Sequence, residues 1–484
     1  MLENQNGDQR AQWGSRFGFI LAAAGSAVGL GNIWRFPYVV GENGGGLFVL
    51  AFIACIALVG LPVFMAEVLL GRATQSSPVG AFRRLSKPGS PWMIFGWMGV
   101  AAGFVVLSYY SVVAGWCMHY AWLSVTTTFN GMTPDEIKAT WEGVATNPQL
   151  CTFWHLIFMV ITVSIVVAGV KEGIELWVKI LMPMLLVIMG VLFVYALQSG
   201  KFWEGVQYLF VPDFSKWEWK RSLLEALGQG MFTMSVGMGA LITYGSYLRK
   251  TEDLTSTSLT VGVVDTMVGL AAVLVIFPIL FAAALEAGSG PGLVFVALPN
   301  AFSQMTGGML LAPLFFLLLT FAALTSSVSL LEVATSYFID ERGWSRSKAA
   351  WGTGGLIAIL GIPSAISGGS VLFGTELANF TSQFPILFGV DGKNWFDCFD
   401  YLASNWLLPL GALGTSLFVG WNLPSDFRAT EFKQGSNMTW LYPGWVILLR
   451  FIVPLIIILV FLNGIGLIDY LFGSPVANGS EMSG

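Results

Sequence analysis

An apolar run from Phe17 to Val40 is long enough to cross a bilayer, and its centre reads Gly25-Ser26-Ala27-Val28-Gly29-Leu30-Gly31-Asn32. A spanning helix needs about 20 apolar residues. Glycines and an asparagine at its middle oppose a continuous one, because each glycine costs about 1 kcal/mol against alanine in a helix interior. Arg35 follows one turn later, still inside the run, where charged residues are rare and usually functional. Gly25 and Gly29 also fit a small-residue face for helix packing, so this stretch alone leaves both readings open. The pattern recurs in Phe232-Thr233-Met234-Ser235-Val236-Gly237-Met238-Gly239-Ala240, which interrupts another apolar span. Paired Gly-broken spans in the two halves of a chain point to a transporter's binding site.

Composition fixes the class. Of the 484 residues 55% are hydrophobic and 11% charged, against about 25% charged in soluble domains. An all-α polytopic membrane protein follows. The polar N-terminus, Met1 to Trp13, lacks the charged-then-apolar pattern of a signal peptide. No basic run suggests nucleic acid. Cys55, Cys117, Cys151 and Cys398 form no CxxC pair, and His119 and His155 are the only histidines. A zinc or redox centre is therefore not expected. With no nucleophile–His–acid constellation either, the chain does not read as an enzyme.

Hydropathy gives eleven transmembrane helices, roughly 16–40, 46–71, 92–127, 152–169, 174–196, 220–248, 255–285, 309–340, 347–366, 396–421 and 443–472. A loop helix is expected at Gly292–Gln304, and the longer connections at Asn130–Leu150, Ser199–Trp219 and Ser367–Trp395. With the N-terminus inside, sixteen of the 23 Lys and Arg fall on inner segments and six on outer ones, Arg35 being the remaining one. That bias predicts a cytoplasmic N-terminus and an extracellular C-terminus. Helices one to five (about 16–196) and six to ten (about 220–421) then begin on opposite sides, each set opening with a broken helix. This is the signature of two inverted repeats, with an additional helix at about 443–472, in a single transmembrane domain over 1–484.

A break in the hydrocarbon core frees backbone groups that are tolerated only inside protein or against a cavity. Free carbonyls suit a hard cation such as sodium, and a half-helix N-terminus suits a carboxylate. An amino acid with sodium is the simplest pair that uses both.

Asn32-Ile33-Trp34-Arg35-Phe36-Pro37 with Glu42-Asn43-Gly44-Gly45-Gly46 resembles the first-helix signature of the neurotransmitter:sodium symporters. The broken sixth span and Ala322-Ala323-Leu324-Thr325-Ser326-Ser327 match in order. The resemblance covers nearly the whole chain. It implies the LeuT fold, a 5+5 inverted repeat with broken helices 1 and 6, in the bacterial amino-acid transporter branch, and hence a multi-pass protein of the bacterial plasma (inner) membrane. It implies no obligatory protein partner.

It also implies two sodium sites. The first would use the Ala27 carbonyl, Asn32, Thr233, Asp265 and the substrate carboxylate. The second would use the carbonyls of Gly25, Val28 and Ala322 with the hydroxyls of Thr325 and Ser326. Read as residues alone, those two hydroxyls could equally bond back to their own helix. Many relatives carry Asn where this chain has Asp265. Chloride-dependent relatives hold an anion nearby with a Tyr and a Ser, where this chain has Phe52 and Gly269, although Gln229 and Thr233 are kept. Transport without chloride is expected, unless Asp265 merely pairs with a neighbour or is protonated.

The implied substrate pocket comprises Ser26, Ala27, Gly29, Leu30, Gly31, Val106, Tyr110, Phe232, Thr233, Ser235, Met238, Ser326 and Leu330. Amine transporters of the family carry an Asp at the position of Gly29, so a carboxylate-bearing, neutral, hydrophobic L-amino acid, aliphatic to aromatic, is expected. Proton coupling, an amine substrate, or a sensor that binds without transporting are the alternatives. The resemblance further implies an outer gate of Arg35 and Asp400 above a lid of Tyr110 and Phe232. Its inner gate is Arg10 with Asp340, supported by Trp13, Ser246 and Tyr247. Gly173 and Pro183 on the fifth helix would let it unwind. Glu67 is expected to cap freed amides of the broken helices.

Overall fold

The computed structural model describes residues 11–126, 128–285, 290–305, 307–384, 388 and 392–464. Among them it is helical without a named strand; Gly45 and Pro212 form one isolated bridge. Among the described residues nine helices are long and apolar enough to cross a membrane, and a tenth span comes from Arg16–Ala27 and Gly31–Glu42, bent by 49°. Ten of the eleven expected spans meet that standard. The sixth is two short helices, Trp219–Thr233 and Ala240–Gly245, neither able to cross alone. The last helix, Thr439–Asn463, ends close to the limit of the described residues, and the tail after Phe472 lies outside them.

Local chemistry sets the helix ends. Ser15 caps Arg16–Ala27 by accepting the Gly18 N–H at 3.0 Å. Asp253 does the same for Leu254–Ala282 through the Ser256 N–H, each satisfying an orphan donor of the first turn. The expected loop helix is present as Leu293–Gln304. The stretches read as plain connections also hold helices. Pro134–Ala145 is closed by a capping box of Thr133 and Glu136, Phe202–Phe210 follows, and Leu377–Thr381 sits in the third.

In lipid, apolar surface gives helices little reason to associate, so close packing and internal hydrogen bonds must do it. The Met93–Val125 and Gly308–Arg342 helices are the innermost, each with 78% of its most apolar window buried, against 33% for Thr439–Asn463. Arg16–Ala27 packs on Gly308–Arg342 and Leu254–Ala282, and Ala240–Gly245 on Gly308–Arg342 and Gly46–Thr74, whose Val68 carbonyl would stand 2.7 Å from a Cβ at Gly245. That backbone contact sets the shorter half of the sixth span against its neighbour.

Candidate functional site

Helix Arg16–Ala27 stops because Val28 turns extended, φ −72° and ψ 94°, and helical structure resumes at Gly31. The second break runs from Met234 to Gly239. Ser235 takes φ +53°, Gly237 +85° and Gly239 +73°, and only the glycines adopt such values without strain. The Gly237 amide, freed by the break, donates to Glu67 Oε1 at 2.7 Å inside the protein. Glu67 therefore serves the second break.

The two breaks face each other around a small cavity of about 20 Å³, room for little more than one water. Ser26, Ala27, Gly29, Gly31, Val106, Tyr110, Phe232, Thr233, Ser235, Met238, Ser326 and Leu330 line it together with Ser329. Of the expected set only Leu30 is missing. It lines the space above and donates its amide to the Tyr110 hydroxyl at 3.2 Å. Ser329 was not anticipated. Its only signal is its place one turn after Ser326 on the same helix.

Beside the cavity, Asn32 Nδ2 donates to Asp265 Oδ1 at 2.8 Å and Thr233 Oγ1 to the same oxygen at 2.9 Å. Asp265 Oδ2 is buried with no hydrogen-bond partner. Gln229 Nε2 donates to the Gly31 carbonyl at 2.8 Å. The Phe52 ring packs on Phe36 at 4.6 Å, and a Cβ at Gly269 would meet that Phe36 ring at 3.4 Å. The surroundings of Phe52 and Gly269 are thus aromatic rather than hydroxylic.

At the other end of the first break, Ser326 Oγ reaches the Gly25 and Ser26 carbonyls at 3.3 and 3.2 Å. The Thr325 hydroxyl instead bonds within its own helix, to Ala322 O at 3.0 Å, while its Cβ lies 3.2 Å from where a Gly25 Cβ would be. Met182, just before Pro183, approaches Gly25 equally closely. The Val170–Gln198 helix carrying Gly173 and Pro183 is continuous here. Among the described residues no group of three or more His, Cys, Asp or Glu could hold a metal, so a cation here would rest on carbonyl, hydroxyl and single carboxylate oxygens. These are hard donors suited to sodium.

A vestibule of about 610 Å³ opens above the cavity, and Phe232 lines both. Arg35 and Asp400, the expected outer pair, both line the vestibule and interact electrostatically across it; among the described residues the acidic group within 4 Å of Arg35 is Glu225, at 3.7 Å. Arg35 also lies 5.8 Å from the centre of the Phe232 ring, and Asp400 accepts from Ser404 Oγ at 3.4 Å. Glu225 went unnoticed in the sequence because it sits among other charges, Glu218 and Arg221.

On the opposite side, Arg10 lies outside the described residues, and Asp340 accepts the Ser77 N–H at 2.6 Å. Trp13 is buried. Its indole donates to Tyr244 O at 3.0 Å and its amide to Tyr247 O at 3.1 Å. The Ser246 hydroxyl donates to Thr243 O at 2.5 Å. Tyr247 donates to Glu332, which pairs with Arg346 at 2.7 Å. Glu175, two residues after Gly173, accepts from the Gly14 amide at 2.6 Å and from Lys179 at 2.6 Å. It ties the segment before the first helix to the fifth.

The chain matches the model of the Sodium:neurotransmitter symporter family over residues 10–146 and 142–470. It is 39% identical over 462 residues to an uncharacterized sodium-dependent transporter, YhdH, of Bacillus subtilis, covering 95% of this chain and 98% of that one. It is 25% identical to the sodium-dependent serotonin transporter of Drosophila melanogaster, over 90% of this chain and 79% of that protein. The crystal structure of MhsT in complex with L-phenylalanine matches with a TM-score of 0.84 and 44% identity, covering 94% of this chain and all of that one.

Proposed function

Because the chain belongs to the sodium:neurotransmitter symporter family, whose members here are sodium-dependent membrane transporters and not enzymes, we propose that it imports a neutral hydrophobic L-amino acid with sodium and without chloride. One observation carries the substrate class. The cavity between the two breaks is lined by backbone, hydroxyl and apolar groups, with no acidic or basic side chain. A free amine would be left without a counter-charge there, and a charged side chain without a partner, at a cost of several kcal/mol. The match to MhsT, solved in complex with L-phenylalanine, agrees with this reading.

The carboxylate sits against the amides around Gly29–Gly31, at the positive end of the Gly31–Glu42 half-helix. Tyr110 accepts from Leu30, which leaves its own O–H to donate to that carboxylate. The ammonium meets carbonyls of Ala27, Phe232 and Thr233. The first sodium uses Asp265 Oδ2, the buried oxygen without a partner, with Asn32, Thr233 and the Ala27 carbonyl. Asp265 supplies the negative charge that chloride brings elsewhere. The second sodium uses the carbonyls of Gly25, Val28 and Ala322 with Thr325 and Ser326. Thr325 gives up its bond to Ala322 to do so.

In alternating access, Tyr110 and Phe232 close beneath the vestibule, where Arg35 moves between Glu225 and Asp400. Release begins when Trp13 and Tyr247 separate. Unwinding between Gly173 and Pro183 withdraws Met182 from Gly25 and admits water to the second sodium. The N-terminus is cytoplasmic, and helices one to five and six to ten are inverted repeats.

Uptake of labelled leucine and phenylalanine into proteoliposomes tests this, with sodium or potassium outside and chloride or gluconate as anion. Accumulation that requires sodium and ignores chloride is expected. Accumulation lost in gluconate overturns the role of Asp265, and sodium-dependent uptake of neither amino acid overturns the substrate.

A further inference from the structure

The floor of the cavity is a chain of serine hydroxyls. Ser26 Oγ donates to Ser329 Oγ at 2.7 Å, and Ser329 Oγ donates to the Ser326 carbonyl at 2.8 Å. Ser235 Oγ donates to the Ser26 carbonyl at 2.8 Å. Ser326 Oγ is spent on the Gly25 and Ser26 carbonyls. A hydroxyl has one proton and two lone pairs, so every proton in this cluster is already given to the protein. What remains facing the cavity is accepting capacity on Ser26 Oγ, which makes only a 3.4 Å contact with Ser235 Oγ and is oriented by giving its proton to Ser329; Ser329 Oγ itself also has the Tyr244 hydroxyl as a neighbour.

Ser26 and Ser329 each lie about one helical turn from the Gly29 and Ser326 end, where the carboxylate is placed, and both line the cavity. Buried acceptors that a ligand can reach favour a ligand that brings a donor, and a site built for a polar group discriminates against the analogue lacking it. We propose that Ser26 and Ser329 tune the transporter towards aromatic amino acids whose ring carries an N–H or O–H, an indole or a phenol, over isosteres without one. This rests on the amino-acid reading above. The present cavity is too small for such a ring, so Met238, flexible and set between Gly237 and Gly239, has to move aside.

The test uses the full chain in proteoliposomes with tryptophan, its isostere benzothienylalanine (sulfur in place of the indole N–H) and phenylalanine, each competing against labelled leucine in sodium. Tryptophan is expected to compete roughly five- to tenfold better than benzothienylalanine, the size of one neutral hydrogen bond, and Ser329→Ala is expected to bring that ratio close to one. The wild-type ratio stands whether or not the variant folds. Sodium-dependent leucine uptake with equal competition by tryptophan and its isostere overturns this inference alone. An unchanged ratio in folded Ser329→Ala removes Ser329 from it. No sodium-dependent leucine uptake, together with no sodium-dependent binding of the other three, overturns the amino-acid reading as well.

Discussion

Asn32 donates its side-chain amide to Asp265 Oδ1 at 2.8 Å, and the second carboxylate oxygen of Asp265 is buried with nothing to accept from. The first helix break and the Leu254–Ala282 helix therefore meet at a carboxylate with one free oxygen beside the cavity. A buried ion without a counter-charge is costly, and a cation placed on Oδ2, as proposed above, would offset that cost.

Asp265→Asn keeps the shape and removes the charge. Hydrogen bonds and contacts to charged groups are worth about 1.5–3 kcal/mol, so half-saturating sodium for uptake should rise by at least about tenfold. Chloride should not restore it, because Phe52 and Gly269 offer no hydroxyl. Sodium titration of uptake in chloride and in gluconate decides. An unchanged sodium requirement removes Asp265 from the first site.

A Cβ at Gly29 would stand 2.6 Å from Ser326 Oγ and 3.0 Å from the Tyr110 hydroxyl, and Gly29 has no left-handed backbone to protect. Gly29→Ala must push the Ser326 and Tyr110 hydroxyls aside, at some cost in stability, and should lose at least about tenfold in amino-acid affinity, because the methyl occupies the space of the substrate carboxylate. Size-exclusion behaviour and a binding isotherm in sodium separate the two effects. Wild-type affinity in a folded Gly29→Ala protein would place the carboxylate elsewhere.

How much the sequence shows depends on what each feature demands. The breaks were legible because glycine clusters and an asparagine are poor helix formers wherever they occur; the cavity residues were legible only through the resemblance to the symporter family, since Val106, Tyr110, Ser326 and Leu330 lie on unbroken helices. Ser329 was not, because a serine one turn from another in an apolar helix ordinarily bonds back to its own backbone, and which groups it faces is a matter of tertiary packing. Glu225 was hidden for the same reason: a charge near a helix start reads as solvated until the fold brings Arg35 to it. The helix at Pro134–Ala145 was legible in principle, since Thr133-Pro134-Asp135-Glu136 carries the capping-box spacing.

The Arg35–Glu225 contact is half-exposed on both sides, at 28% and 35%, so it contributes about 0–1 kcal/mol and weakens with salt. Glu225→Gln should leave thermal stability unchanged and alter access to the vestibule. A cysteine introduced at Ser404, which lines it, should change its labelling rate by about two- to fivefold when Glu225→Gln is added. A response to Asp400→Asn alone, with none to Glu225→Gln, would restore the simple two-residue outer gate.

The Glu332–Arg346 pair is the opposite case. Glu332 is fully buried and its two oxygens take the Arg346 guanidinium at 3.1 and 2.7 Å, while Tyr247 donates to one of them at 2.5 Å. Arg346 also donates to the Val166 carbonyl at 2.8 Å, so one guanidinium links three helices, and Glu332 passes the link to Tyr247. Removing one member of a buried pair leaves the other charge unpaired and costs about 3–5 kcal/mol, whereas removing both charges costs far less. Arg346→Met should therefore lower the unfolding temperature in detergent markedly, and Glu332→Gln added to it should recover most of the loss. If the pair merely holds the fold, uptake per folded molecule stays at the wild-type level in the double variant. If it also holds Tyr247 in the closed inner gate, the double variant is stable but exchanges substrate faster. Equal destabilisation by the single and double variants would show that the contact is worth its geometry and not its charge.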